Sequence, residues 1–170
     1  MAFPKLIPAF TAQVSTEVPS SLGPTARSGA LVHIVIQAGG SVKSEPDYPL
    51  KLDANFLHGA DFIKFDPSGK FARLEVQSLL KDEITGGLIR LNYTGNVNLD
   101  GPGGMGKVLR GDADAATTDF GDGFIYPVFE GGSNPTLAAL EGKTFVGSGR
   151  FILEPGKPVV VEYKISEVAA

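Results

Sequence analysis

Apolar and polar residues alternate along most of this chain, and this alternation constrains its fold more than any other feature. Residues 7–17 place Phe10, Ala12 and Val14 on one side, while residues 29–38 are mostly apolar and β-branched. Because successive side chains of a strand point to opposite faces, such segments are predicted to be β-strands. Further strands are predicted over residues 48–57, 61–65, 70–80, 87–94, 123–129, 143–153 and 158–168.

Turn residues separate these segments, and the chain contains 22 Gly and 12 Pro. The runs 66–69 and 154–157 each combine Pro with Gly, which is typical of tight turns between paired strands. One short helix is predicted over residues 135–141, with Asn134 as its N-cap and Gly142 at its end. No long repeat or interdomain linker is visible.

About nine strands and one short helix predict an all-β protein, with residues 1–170 as a single domain and the strands closed into an antiparallel barrel. Closure would leave no exposed sheet edges. The Gly- and Asp-rich stretch 100–123 is predicted to be a mobile loop at the barrel mouth that becomes ordered when a ligand binds.

Composition excludes several classes of function. The chain has no Cys and only 2 His, so a disulfide framework and the common zinc sites are excluded, and no metal or cofactor is expected. A net charge of −4 argues against nucleic-acid binding. The first residues lack the apolar run of a signal peptide, and no stretch approaches the ~20 apolar residues of a membrane helix. A cytoplasmic protein that binds no membrane is therefore expected.

Two motif-like stretches are better explained as loops. Residues 101–107 match the spacing of a phosphate-binding loop, but Val108 stands where that loop needs Ser or Thr. The acidic run from Asp112 to Asp122 lacks the ligand spacing of a calcium loop, because Ala116 falls at a ligand position.

The segment 71–77 has one apolar and one polar face, and two explanations of the polar face remain open. The polar face carries Arg73 and Glu75, flanked by Phe71 and Gln77. It either faces solvent or lines a cavity that holds a small molecule among apolar walls.

If it lines a cavity, Asp61, which follows Gly59 at the start of a predicted strand, would lie beside it. Burial would raise the pKa of one carboxylate, while Arg73 would keep the other ionised, giving one acid and one base. The predicted catalytic residues are Asp61, Glu75, His33 and Tyr93, and the predicted ligand-binding residues are Arg73, Phe71, Gln77 and Phe62.

Several motifs resemble one family. Residues 59–62 (GADF) resemble a G-G-A-D-W signature, residues 69–77 resemble the D-G…L-D-A-R-Y segment that follows it, and residues 87–95 resemble the next strand. Residues 145–151 and 161–168 resemble the closing hairpin. The chain is thus similar to the family called domain of unknown function 3237, from about residue 6 to 168. It departs from the family pattern at His58, Phe62 and Gln77.

The resemblance implies a closed barrel similar to those of allene oxide cyclase and dirigent proteins, and the C-terminal sequence looks like a fungal branch of the family. Such barrels bind apolar intermediates and steer cyclisation or coupling, often as dimers or trimers. The resemblance also suggests a role in secondary metabolism.

These observations favour a cofactor-independent isomerase or cyclase acting on an apolar small-molecule intermediate, for example by a pericyclic or Michael-type ring closure. The alternatives are a binding or carrier barrel without chemistry and a structural oligomer. A homo-oligomer, dimer or trimer, is expected because residues 31–36 are apolar on both faces.

Overall fold

The computed structural model describes residues 3–27 and 29–170, and strands dominate it. Two short helices, α1 (Met105–Arg110) and α2 (Pro135–Ala138), interrupt the strands. The strands in chain order are β1 (Lys5–Ser15), β2 (Ser20–Thr25), β3 (Gly29–Ile36), β4 (Ser41–Ser44), β5 (Asp53–Phe65), β6 (Phe71–Asp82), β7 (Leu88–Asn98), β8 (Gly123–Glu130), β9 (Phe145–Ile152) and β10 (Val160–Ala169).

The strands form one antiparallel sheet that closes on itself. Its order is β2-β3-β5-β4-β1-β10-β9-β8-β7-β6, and pairing of β5 with β6 completes the ring. Strands β3 and β4 pair with successive parts of the same edge of β5, so they share one position. Strand β2 pairs with β3 alone and lies outside the ring. The predicted all-β fold is confirmed as a closed barrel of 8 strand positions.

Alternation of side chains between the two faces is clearest in β6. Its even-numbered residues from Ala72 to Asp82 point inward, and most of its odd-numbered residues are exposed. The inward side chains of all the barrel strands form one hydrophobic core that includes Phe10, Phe56 and Phe129. The alternation over residues 70–80 therefore correctly predicted the strand and the division of its residues between two faces.

Turn chemistry fixes the hairpins on either side of this core. Between β5 and β6 the Gly69 N–H donates to the Asp66 carbonyl over 2.9 Å, and Gly69 adopts a φ of 70° that favours glycine. Between β9 and β10 the Lys157 N–H donates to the Glu154 carbonyl. Both predicted turns are confirmed.

Some predicted elements differ from those observed. Residues 53–57 and 61–65 of two separately predicted strands belong to one strand, β5, which runs through Gly59 and carries a bulge between Phe56 and His58. The predicted strand residues 48–52 lie outside β5. Strands β2 and β4 were not predicted, because each is short and lacks a clear alternation. Helix α2 is shorter than predicted, although Asn134 caps it by accepting from the N–H groups of Thr136 and Leu137.

The stretch 100–123 lies at the barrel mouth as predicted, but it is not devoid of structure. It contains helix α1, and Asp122 accepts hydrogen bonds from the N–H groups of Gly103 and Met105. Thr118 exchanges two hydrogen bonds with the backbone of Phe151 on β9. These polar contacts, which composition does not reveal, hold the loop against the barrel.

Candidate functional site

A large cavity of about 910 Å³ opens at one end of the barrel. Helix α1 contributes Val108 and Leu109 to its wall, so the 100–123 loop forms part of the mouth. Most of the wall is apolar, and its titratable members in the described part of the chain are Glu17 and Lys157. The lining consists of Thr16, Glu17, Val18, Pro19, Ser21, Val32, Ile34, Gln37, Ile63, Phe65, Val108, Leu109, Phe151, Gly156, Lys157, Pro158, Val159 and Val161.

A second, much smaller cavity lies deeper in the barrel. Its volume of about 30 Å³ is enough for one water molecule or one small functional group. Asp61, Tyr93 and Tyr163 line it among apolar side chains. The two cavities are adjacent, because both are lined by Thr16, Ile34, Ile63, Phe151 and Val161.

Asp61 is the carboxylate of this small cavity. It points inward from β5 on the same face as Ile63, and only 9% of it is exposed. The β5–β6 ladder pairs Asp61 with Val76 and resumes with Lys64 and Arg73. Between these pairs the backbone N–H of Glu75 donates to Asp61 Oδ1 over 3.1 Å. This bond fixes the carboxylate and commits one of its oxygens.

Burial changes the acidity of Asp61. Loss of hydration is the main cause that raises its pKa, from 3.8 to about 6, and the negative charge of Glu75 acts in the same direction. The hydrogen bond from the Glu75 N–H partly opposes this rise. Asp61 can therefore accept or release a proton near neutral pH.

Tyr93 on β7 and Tyr163 on β10 both line the small cavity. Their ring centroids are 5.4 Å apart with an edge-to-face arrangement. Burial raises the pKa of both phenols, and the nearby Asp61 carboxylate adds to the effect, so both stay protonated. Gly149 pairs with Tyr163, and a Cβ there would lie 2.6 Å from the ring. The glycine thus makes room for the phenol.

These three side chains form a compact acid–base group. Each of the two phenols carries an O–H that can donate a hydrogen bond to a ligand. Within the described residues, Asp61 makes the single hydrogen bond from Glu75, so its second oxygen remains available. A carboxylate and a phenol O–H around a small space can move a proton and stabilise an oxygen that gains negative charge.

Of the four predicted catalytic side chains, the structure brings Asp61 and Tyr93 together. The predicted inward orientation of Arg73 and Glu75 is wrong, because both lie on the outer face of β6. Glu75 is 50% exposed and pairs with Lys64, and Arg73 pairs with Asp66. The apolar even-numbered face of β6 fills the core instead.

The remaining predicted side chains also lie outside the barrel interior. The ring of His33 on β3 stacks on Phe62 of β5 with a centroid distance of 4.8 Å, and Phe62 is exposed. Phe71 lies under the Arg73 guanidinium on the outer face, and Gln77 is exposed. None of these four side chains lines either of the two interior cavities, so their predicted inward placement is wrong.

The sequence reasoning missed Tyr163. It lies between Val161 and Ile165 in an alternating segment, and these two residues are buried. An alternating strand whose apolar face includes one Tyr signals a phenol in the interior. The signal was therefore present in the segment 158–168.

Other buried carboxylates serve the fold. Asp82 accepts hydrogen bonds from the N–H groups of Asp53 and Thr85 and from the Thr85 hydroxyl. Asp122 holds the mouth loop as described above. Within residues 3–27 and 29–170, no group of three His, Cys, Asp or Glu side chains is arranged to hold a metal ion.

Comparison with known families identifies the chain. The family model described as "Protein of unknown function (DUF3237)" matches residues 4–168. The chain therefore belongs to the DUF3237 family, as its motifs indicated. Its assignment to a fungal branch and its likeness to allene oxide cyclase stay predictions.

Two solved structures share the fold. A conserved protein of unknown function from Rhodopseudomonas palustris is 21% identical, with a TM-score of 0.72 over 98% of this chain and 99% of that one. A protein of unknown function from Clostridium acetobutylicum is 15% identical, with a TM-score of 0.70 over 98% and 99% of the two chains. A comparison with curated proteins found no match.

The helices of the barrel are too short to cross a membrane. In the part of the chain that the structure describes, no helix has the length and apolar character of a membrane span.

Proposed function

We propose that the protein is a cofactor-independent isomerase or cyclase that acts on an apolar small molecule in the barrel. The observation that carries this proposal is the position of Asp61, a buried carboxyl with a pKa of about 6, next to two phenols and below a large apolar cavity. Positioning and one proton transfer are the forms of catalysis available to such a site.

The two adjacent cavities support separate roles in ligand binding and in chemistry. The large cavity has the volume and apolar lining of sites for drug-sized molecules. A ligand held there would direct its reacting group past Ile63 and Phe151 towards Asp61, since these side chains belong to both cavities. Binding energy from the apolar part of the ligand could then position the reacting atoms.

One observation favours a second candidate, a carrier barrel without chemistry. The large cavity itself is lined by no titratable side chain of the described residues other than Glu17 and Lys157. In addition, Asp61 lines the small cavity and not the large one. A ligand that stays in the large cavity would be bound but not changed.

Conversion of an extract without added cofactor separates the two candidates. Small molecules extracted from the producing cells are incubated with the wild-type protein, with Asp61→Asn and with Glu130→Gln. Glu130 pairs with Arg90 on the outer surface and serves as the matched control. Mass spectrometry follows every compound, because an isomerisation consumes one compound and forms another of identical elemental composition.

The proposal expects an isomeric pair that changes with the wild-type protein and with Glu130→Gln but not with Asp61→Asn. If compounds are retained by the protein and none is converted, the carrier function replaces the proposal. If nothing is retained or converted, both candidate functions fail.

The proposal includes a homo-oligomer, expected from the apolar residues of β3. Light scattering at micromolar concentration should give a mass that is a multiple of 17.8 kDa. A mass of 17.8 kDa, that of a single chain, would contradict the proposed homo-oligomer.

A further inference from the structure

The groups around the small cavity restrict the substrate that the proposed reaction would use. Its titratable side chains among the described residues are Asp61, Tyr93 and Tyr163, and it is lined by no Lys, Arg or His. A carboxylate or phosphate of a ligand would therefore meet an acidic group without a cation to balance it. An uncharged oxygen, in contrast, would find a phenol O–H donor.

We infer that the substrate is an apolar carbonyl compound with a hydrogen on the carbon next to the carbonyl, and that this site converts it to its enolate. The inference rests on the proposed function and specifies it. The carbonyl oxygen would accept a hydrogen bond from the Tyr93–Tyr163 pair. The neighbouring C–H would point to the oxygen of Asp61 that is not bonded to the Glu75 N–H.

The proton transfer balances within these groups. The C–H bond breaks and its proton forms an O–H bond with Asp61. The electron pair of the C–H bond forms a carbon–carbon double bond, and the carbonyl π electrons move to the oxygen, which becomes an enolate. The phenol donor stabilises this charge. The enolate then follows one of two routes. In the first, its carbonyl re-forms as its carbon attacks the β-carbon of a second, conjugated carbonyl in the same molecule; the C=C π electrons of that acceptor move to its α-carbon, which takes the proton from Asp61. In the second, where a C=C bond is conjugated with the enolate, the proton returns from Asp61 to the far carbon of that bond as the carbonyl re-forms, and neither route needs an oxidant or reductant.

The fixed positions of Asp61 and the two phenols favour a carbonyl compound as the substrate. The Glu75 N–H holds Asp61 Oδ1, so the carboxylate is oriented before a ligand arrives. The two phenols are held 5.4 Å apart by packing in the core, and Gly149 leaves the space for one of them. Donor and base thus line the same space, which is about the size of a functional group, and both are positioned before a ligand arrives.

A phenolate tests the inference because its charged oxygen is attached to an sp² carbon, as in an enolate. The probe is 4-nitrophenol at a mildly alkaline pH where it is ionised, and its absorbance reports binding. The matched control probe is 4-nitroanisole, in which a methyl ether replaces the charged oxygen. Both are titrated into the wild-type protein, Asp61→Asn and Asp61→Asn combined with Tyr163→Phe.

Replacing the ionised Asp61 by an uncharged amide removes a like charge near the phenolate. We expect Asp61→Asn to bind 4-nitrophenolate at least about 10-fold more tightly than the wild-type protein does. Removing the Tyr163 hydroxyl should then weaken this binding by about 10-fold or more. The affinity for 4-nitroanisole should change little in either variant.

The control probe separates failure of the inference from failure of the proposed function. If 4-nitroanisole binds but the affinity for the phenolate does not depend on Asp61 and Tyr163, the inference is overturned and an apolar cavity remains. If neither probe binds, the proposed function and the inference fail together. Should the variant with Tyr163→Phe fail to fold, Tyr93→Phe takes its place, because Tyr93 carries the other phenol O–H that lines the small cavity.

Discussion

Asp61 and Asp82 are both buried carboxylates of the same barrel, yet their surroundings are opposite. Asp82, at the end of β6, is saturated by hydrogen bonds from Asp53 and Thr85, which lower its pKa despite the opposing loss of hydration. Asp61, in the middle of β5, receives one backbone hydrogen bond, and burial raises its pKa. Both carboxylates are buried, so the number of hydrogen bonds that each accepts, more than burial, separates their two pKa values.

The largest expected effect is on catalysis. Asp61→Asn should reduce the rate of the proposed reaction by about 10²–10⁴-fold, because the amide cannot accept the proton that the reaction transfers. Steady-state rates on the isomerised compound measure this loss. The fold should survive, since the amide keeps the size and the oxygen of the carboxylate. A rate within a few-fold of the wild type would mean that the cavity acts by shape alone.

The same substitution at Asp82 should affect stability instead. Asp82→Asn replaces one acceptor oxygen by an amide NH2 group, which cannot accept hydrogen bonds from the N–H and O–H donors around it. The substitution should therefore lower the free energy of unfolding by about 2–4 kcal/mol. Urea unfolding at neutral pH measures the difference. A loss below about 1 kcal/mol would show that the turn 82–87 does not depend on this carboxylate.

Asp61→Asn should have the opposite effect on stability. Because the folded pKa of Asp61 is raised, its contribution to stability is complete below about 3.8 and is lost as the pH rises through about 6. Ionised Asp61 then costs up to about 3 kcal/mol, a cost that the amide avoids. The charge of Glu75 on the outer face of β6 and the phenols Tyr93 and Tyr163 interact electrostatically with Asp61.

Unfolding experiments at two pH values test whether Asp61→Asn raises the free energy of unfolding. Asp61→Asn should be more stable than the wild type at pH near 8 and nearly equal to it at pH near 4. For Asp82→Asn the difference should shrink as the pH falls, because the pKa of Asp82 is lowered and its contribution is lost in acid. Equal pH dependence in the two variants would remove the distinction between the two carboxylates.

The smallest effect is expected on the outer face. Glu75→Gln removes an exposed ion pair with Lys64, which is worth about 1 kcal/mol or less. Activity should stay within about twofold of the wild type, since the Glu75 backbone N–H that holds Asp61 is retained. A loss comparable with that of Asp61→Asn would restore the role that the sequence analysis predicted for Glu75.

Much of the fold could be predicted from alternation and turn residues, because strands with one buried face impose a period of two. The orientation of β5 could not be predicted in the same way. Its bulge between Phe56 and His58 shifts the inward residues from even to odd numbers. Asp61 shares the inward face with Ile63 only after this shift, and no residue pattern in the sequence locates the bulge.

The candidate site was predictable in part. Asp61 and Tyr93 were identified from sequence, and Tyr163 could have been, from its apolar neighbours Val161 and Ile165. Arg73 and Glu75 were predicted to point into the barrel, because opposite charges on one strand face are compatible with the lining of a cavity as well as with a solvent-exposed surface. The opposite face of β6, which is apolar at Ala72, Leu74, Val76 and Leu80, decides between these two explanations, and it was available in the sequence.

The proposed proton transfer requires that Asp61 changes its ionisation near neutral pH in the folded protein. Carbon-13 NMR of the side-chain carboxyl, assigned with Asp61→Asn, measures the pKa of Asp61 in the wild-type barrel. We expect a midpoint near 6, well above the usual 3.8, because the carboxylate is buried with a single hydrogen bond. A midpoint at or below 3.8 would show that Asp61 is as well stabilised as Asp82, and it would contradict a proton-transfer role at neutral pH.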